Sequence, residues 1–184
     1  MKLAIVGLGD SGVDGPFDDP TWKIWSLPWY PYPTVDRWFE IHENWDEAKY
    51  YSCGKTRAEI AEWLNALERP VFMAKIESDI PKSVAYPFRG VREILGKPIN
   101  TDQNEPYIDC SIAAMLGCAC IYLRAGDTLG VWGVNADGKY EPQRANIEYI
   151  LGVLRGMGVN LVIHQDSKLL TTAWPKYGRY RRAG

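Results

Sequence analysis

Met1-Lys-Leu-Ala-Ile-Val-Gly-Leu-Gly-Asp-Ser-Gly12 opens the chain, and its reading decides the fold. A β-type apolar run, Leu3 to Val6, leads directly into Gly7-x-Gly9-x-x-Gly12. A phosphate-binding turn needs that order. Its first glycine permits the tight turn, its second lets a phosphate approach the backbone, and its third allows close packing behind. Asp10 and Ser11 add a carboxylate and a hydroxyl inside the turn. The residues that follow, Val13-Asp-Gly-Pro-Phe-Asp-Asp-Pro20, read as a turn-rich loop. A dinucleotide fold places a long helix there, with its N-terminus on the pyrophosphate. The expectation is therefore a nucleotide-type ligand rather than a standard dinucleotide cofactor. It stands against a glycine-rich turn that binds nothing.

Outward from that stretch, short apolar runs alternate with helical patterns, the signature of an α/β layout. Strands are expected at Lys2–Val6, Trp22–Leu27, Arg37–Ile41, Val71–Ala74, Thr128–Val134 and Asn160–Ile163. Ile60, Trp63, Leu64 and Leu67 form one helical stripe, opened by Thr56 with Glu59 three residues on, a capping box. A second helix is expected from about Asp109 to Arg124, with small residues that let it press closely on a sheet. A third spans roughly Pro142 to Gly156, with stop signals at Gly156 and Gly158. Pro87 to Pro106 reads as loop with one short helical piece around Gly90–Leu95. The apolar run Thr128-Leu-Gly-Val-Trp-Gly-Val134 predicts a central parallel strand buried on both faces. The fold class expected is a single three-layer, Rossmann-like α/β domain over residues 1–184, with a mostly parallel sheet of five to seven strands and a basic tail from about residue 175.

Composition narrows the function classes. With 46% hydrophobic and 24% charged residues the chain reads as globular, not disordered. A net charge of −2 offers no general pull toward nucleic acid, which leaves the tail (Lys176, Arg179, Arg181, Arg182) as the place where phosphates could be gripped. No apolar run spans a bilayer and the N-terminus lacks a signal-peptide layout, so a cytoplasmic protein is expected. Cys53, Cys110, Cys118 and Cys120 form neither metal knuckles nor a disulfide framework, and no His or Cys cluster predicts a metal. Eight tryptophans and eleven tyrosines are many for this length and are compatible with a homodimer, although rings fill cores more often than interfaces.

In an open parallel sheet, ligands bind beyond the carboxyl ends of the strands. That rule selects Gly7, Gly9, Ser11 and Gly12 after the first strand, the loops Pro28–Tyr32 and His42–Asn44, and the segment Asn135–Arg144. His42 ends a strand, and imidazole titrates near neutrality, so His42 or Asp10 is the candidate proton carrier. Asn135, Asp137, Gln143 and Arg144 precede a helix N-terminus, where free N–H groups suit an anion, and Arg144 could add a forked contact. Ser111 joins them if its helix starts at the same edge.

Taken together, these blocks resemble a group of small Rossmann-like proteins encoded by bacteriophages and prophages. The resemblance lies in the opening strand and glycine turn, Trp22-Lys-Ile-Trp-Ser-Leu27, Asp36-Arg-Trp-Phe-Glu-Ile-His42, Pro70-Val-Phe-Met73, Tyr86-Pro-Phe88 and Ser111-Ile-Ala-Ala-Met115. It continues through Gly133-Val-Asn135, Tyr140-Glu-Pro-Gln-Arg144, Glu148-Tyr-Ile-Leu-Gly152 and Ser167-Lys-Leu-Leu170. It covers nearly the whole chain and implies the fold and a phage origin, hence the cytoplasm of a bacterial host. More weakly, the chain is similar to Rossmann-like glycosyltransferases of the bacterial sialyltransferase type and to pterin diphosphokinase-like proteins. Here Asn135 stands where those carry an acidic residue, and Cys110-Ser111 where two hydroxyl residues are typical.

Three functions remain open on these grounds. One is a nucleotide-dependent enzyme, a transferase or a glycosidic hydrolase. Another is a non-catalytic binder that sequesters a nucleotide signal. The third is a structural or DNA-associated phage protein acting through its aromatic surface and basic tail.

Overall fold

The structure is a computed structural model and describes residues 1–42, 56–96 and 108–171. Seven strands, β1 (Lys2–Val6), β2 (Trp22–Ser26), β3 (Arg37–Glu40), β4 (Val71–Met73), β5 (Ser83–Ala85), β6 (Thr128–Trp132) and β7 (Asn160–Ile163), form one sheet in the order β5-β4-β3-β2-β1-β6-β7. Every pairing is parallel. Helices α1 (Arg57–Ala66), α2 (Phe88–Leu95), α3 (Ser111–Tyr122) and α4 (Arg144–Gly156) complete the α/β, Rossmann-like architecture. Chain order reverses at β1, which has β2 on one side and β6 on the other.

Strand alternation sorts the core into two layers. Leu3, Ile5, Trp25, Phe39, Phe72, Leu129 and Val131 face α2, α3 and α4. Ala4, Val6, Ile24, Trp38, Val71 and Met73 face α1 and the loop carrying Tyr32 and Val35. Leu3 and Ile5 are fully buried, each worth about 1.5–3 kcal/mol of apolar transfer. Helix α3 is buried from Ala113 through Cys120, and its small residues allow this: a Cβ on Gly117 would lie 2.8 Å from Val91. Thr56 and Glu59 form the expected capping box at the start of α1.

Two sequence expectations change. Ser83–Ala85 is a strand that carries no strand pattern of its own, with Val84 exposed. Pairing with β4 creates it: Val71 N–H donates to Lys82 O (3.0 Å) and Tyr86 N–H to Met73 O (2.8 Å). The apolar run of β6 ends at Trp132 rather than Val134, because Gly133 turns the chain at φ +63°. Nor does a helix cover both faces of β6. On the α1 side Trp132 folds back over Gly130, 2.1 Å from where a Cβ would stand, and meets Trp22 edge-on at 5.3 Å.

Candidate functional site at the carboxyl edge

The reversal of strand order opens the carboxyl edge between β1 and β6, and the glycine turn sits there. Gly7 N–H donates to Trp132 O (2.8 Å) and Gly9 N–H to Gly133 O (2.9 Å). The turn thus prolongs the β1–β6 ladder by two bonds. Ser11 Oγ accepts from Gly133 N–H (3.1 Å), and the buried Tyr32 hydroxyl donates to Gly7 O (2.7 Å). A Cβ on Gly12 would stand 2.2 Å from that hydroxyl. The three glycines therefore spend their missing side chains on the β6 loop and on Tyr32, and the N–H groups of Gly7 and Gly9 are committed to protein carbonyls. A short 3-10 turn, Asp10–Asp14, follows in place of a long helix, as the turn-rich sequence predicts.

Beyond β6, Asn135 is half-buried, and its Oδ1 is buried with no hydrogen-bond partner among the described residues. Ser167 donates to Val134 O (2.6 Å) and Lys168 pairs with Asp137 (2.9 Å), which holds the Asp137 carboxyl below its usual range. His164 leaves β7 with its N–H on Val131 O (3.0 Å). Its Nε2 lies 3.4 Å from an Asp14 carboxylate oxygen, and its Nδ1 accepts from Asp166 N–H (3.3 Å). The sequence does not announce this pair. His164 follows an edge strand, and nothing local links it to Asp14.

His42 lies just past β3, two strands from β1, and its Nδ1 is hydrogen-bonded to Glu40 Oε1. Glu40 is 1% exposed, against 30% for the His42 side chain. Glu40, by contrast, has a signal in the sequence. Residues two apart on a strand share a face, so the last strand glutamate and the histidine after it can meet. A carboxylate can only accept, so Nδ1 carries the proton, and in a neutral ring Nε2 is the unprotonated nitrogen.

Asp10 is exposed and makes no side-chain bond or ion pair among the described residues; it is not paired with His42. Ser111 begins α3, behind Cys110, whose sulfur accepts from Ala113 N–H at 3.4 Å. Gln143 caps α4 without a side-chain bond. Arg144 donates to Glu148 (2.7 Å) and to Thr171 O (3.0 Å), so it ties the chain after β7 to α4. Asn44, Cys53 and the basic tail lie outside the described residues. Burial pushes the Cys110, Cys118 and Cys120 thiols up to about 12. Among the described residues no cluster could hold a metal ion, and no helix is long and apolar enough to cross a membrane.

The chain matches no family model, and neither the curated proteins nor the solved structures hold a significant match. The chemistry must be read from the side chains, and fold alone assigns none.

Proposed function

We infer that this chain binds a small, nucleotide-like metabolite at the carboxyl edge of its sheet and moves a proton there, as a transferase or glycosidic hydrolase would. The observation that carries this reading is the Glu40–His42 pair. Burying a carboxylate costs several kcal/mol unless its charge is met. Here the buried carboxylate accepts the Nδ1 proton of an imidazole at the edge where ligands of open sheets bind, and its charge is met in full once Nε2 has taken a proton. In this reading Glu40 orients the ring, His42 Nε2 takes the proton, and the Asn135 amide and the Ser11 turn contact the ligand. His42 stands about two strand spacings from β1, roughly 10 Å, a span suited to a nucleotide-sized molecule. A positioned general base contributes about 10²–10⁴ in rate.

A second reading is a binder without catalysis at the same edge; on either reading the ligand's phosphates are not held by Gly7 and Gly9, whose N–H groups are already bonded. The test is native mass spectrometry with a thermal-shift panel of nucleotides, nucleotide sugars and cyclic dinucleotides. A ligand at 100 times its Kd adds about 2.7 kcal/mol of stability. On the enzyme reading, Asn135→Leu weakens the hit, while His42→Gln keeps binding and loses about 10²–10⁴ in turnover. A hit with no turnover, indifferent to His42→Gln, selects the binder. A folded protein that takes none of the panel overturns both.

A further inference from the structure

At the opposite, amino edge of the sheet a pocket of about 290 Å³ opens between β1–β3 and the end of α3, lined by Leu3, Lys23, Trp25, Asp36, Arg37 and Tyr122. Small-molecule sites run about 300–1,000 Å³, so this one suits a single ring with a polar group. It is a strand's length, roughly 15 Å, from the glycine turn.

Arg37 is the unusual member. It opens β3, in register with Trp25 of β2, and points to the α3 side of the sheet. Its guanidinium carbon lies 4.5 Å from the Tyr122 ring centre, 5.3 Å from Phe72 and 5.4 Å from Trp25. The side chain is half-buried and its Nη1 fully so, without a hydrogen-bond partner. Among the described residues it forms no ion pair either. The charges that could have met it are engaged elsewhere. Asp36 accepts from Ile24 N–H (2.8 Å) and from Lys23 (3.3 Å). At the C-terminal end of α3, Arg124 donates to Ile121 O (2.8 Å) and to Leu123 O just past the helix (2.9 Å), and Leu123 N–H donates to Ala119 O (2.9 Å). Three ring faces hold a cation in place, but none supplies the full negative charge that a desolvated guanidinium calls for.

We propose that this pocket binds a small aromatic carboxylate, its carboxylate on Arg37 and its ring against the exposed Tyr122, beside the Trp25 edge. A planar carboxylate matches the guanidinium fork; the exposed Tyr122 ring, edge-on to Trp25 at 5.5 Å, supplies the apolar wall, with Leu3 and Trp25 buried beneath it. The site is independent of the carboxyl-edge reading, and the two fail separately.

The probe is benzoate, with benzamide as its neutral isostere, titrated into the full chain and followed by amide and side-chain ¹H–¹⁵N NMR. Benzoate shifts the Arg37 Nε–H and Trp25 indole N–H resonances saturably and leaves Gly7, Gly9 and Gly133 unmoved. Benzamide binds at least tenfold more weakly, and Arg37→Met lowers benzoate affinity at least tenfold while Arg37→Lys retains part of it. The proposal is overturned by equal binding of benzoate and benzamide, by an unchanged affinity in a folded Arg37→Met, or by no saturable shift at these resonances. The isostere comparison uses the unaltered protein, so it decides even where Arg37→Met does not fold.

Discussion

Gly7 and Gly133 meet backbone to backbone across the β1–β6 switch: a Cβ on Gly7 would lie 2.4 Å from Gly133 O, and one on Gly133 2.6 Å from Gly7 O. The partner atoms are carbonyls of two strands held in one ladder, so neither can step aside. Gly133 also sits at φ +63°, which adds the left-handed penalty of about 1–2 kcal/mol for a side chain. Gly7→Ala and Gly133→Ala should each cost at least about 2–3 kcal/mol, measured by urea unfolding. Gly152, inside α4 with nothing within 4 Å of its Cβ position, is the opposite case. Gly152→Ala should stabilise by about 0.5–1 kcal/mol.

Tyr32 braces the same turn through its hydroxyl on Gly7 O. Tyr32→Phe keeps the ring stacked on Phe17 (5.1 Å) but leaves a buried carbonyl without its donor. The loss should be about 1–3 kcal/mol. A change within error would mean that water replaces the hydroxyl.

The two histidines should hold opposite neutral tautomers. His42 gives its Nδ1 proton to Glu40, whereas His164 Nδ1 accepts from Asp166 N–H and so keeps its proton on Nε2, facing Asp14. Long-range ¹H–¹⁵N NMR of the imidazoles in their neutral form reads this directly. Finding both rings as the same tautomer would remove the orienting role of Glu40.

Alkaline pH should destabilise the fold between about 9 and 12. The Cys110, Cys118 and Cys120 thiols ordinarily titrate near 9.0 and are pushed by burial to about 12. Tyr32 is raised from 10.0 to about 12, again by burial first. In each case the folded state prefers the protonated form, so the stabilisation is whole below the unfolded value and is lost as pH climbs to the folded one. Urea midpoints should fall across that window, less steeply in Cys118→Ala/Cys120→Ala. At pH 8 iodoacetamide should label Cys118 and Cys120 only after unfolding, because the thiolate is the nucleophile.

Thr56 accepts from Glu59 N–H and its own N–H donates to Glu59 at 2.7 Å. Thr56→Ala should cost about 1 kcal/mol and fray α1 first, seen as faster amide exchange in its first turn. Uniform exchange along α1 would place its stability in packing alone.

Much of the architecture is legible in local patterns. Six strands and the helices announce themselves through apolar runs, helical stripes and caps, because each signal is written within a turn or two of chain. β5 is not, since three residues with an exposed valine become a strand only when β4 offers its free edge. The site is legible in its place but not in its wiring. His42 and the loops at Gly7 and Asn135 follow from the rule for open parallel sheets. Arg144, read as an anion ligand, instead meets Glu148 one helical turn on and Thr171 across the surface. Arg37 carries no local signal, as an arginine heading a strand reads as solvated until the rings around it are seen.

Local sequence patterns establish that this chain is a parallel α/β protein whose first strand runs into a glycine-rich turn. They also establish which strand ends carry polar groups, since periodicity, capping and turn chemistry act between near neighbours. Only the tertiary structure decided what the turn's glycines are for. Ser11 and Gly133 are 122 residues apart and share a hydrogen bond, and Gly7 faces a carbonyl from β6 rather than open solvent. Strand order sets those meetings, and it arises from the packing of whole layers, which no local stretch encodes.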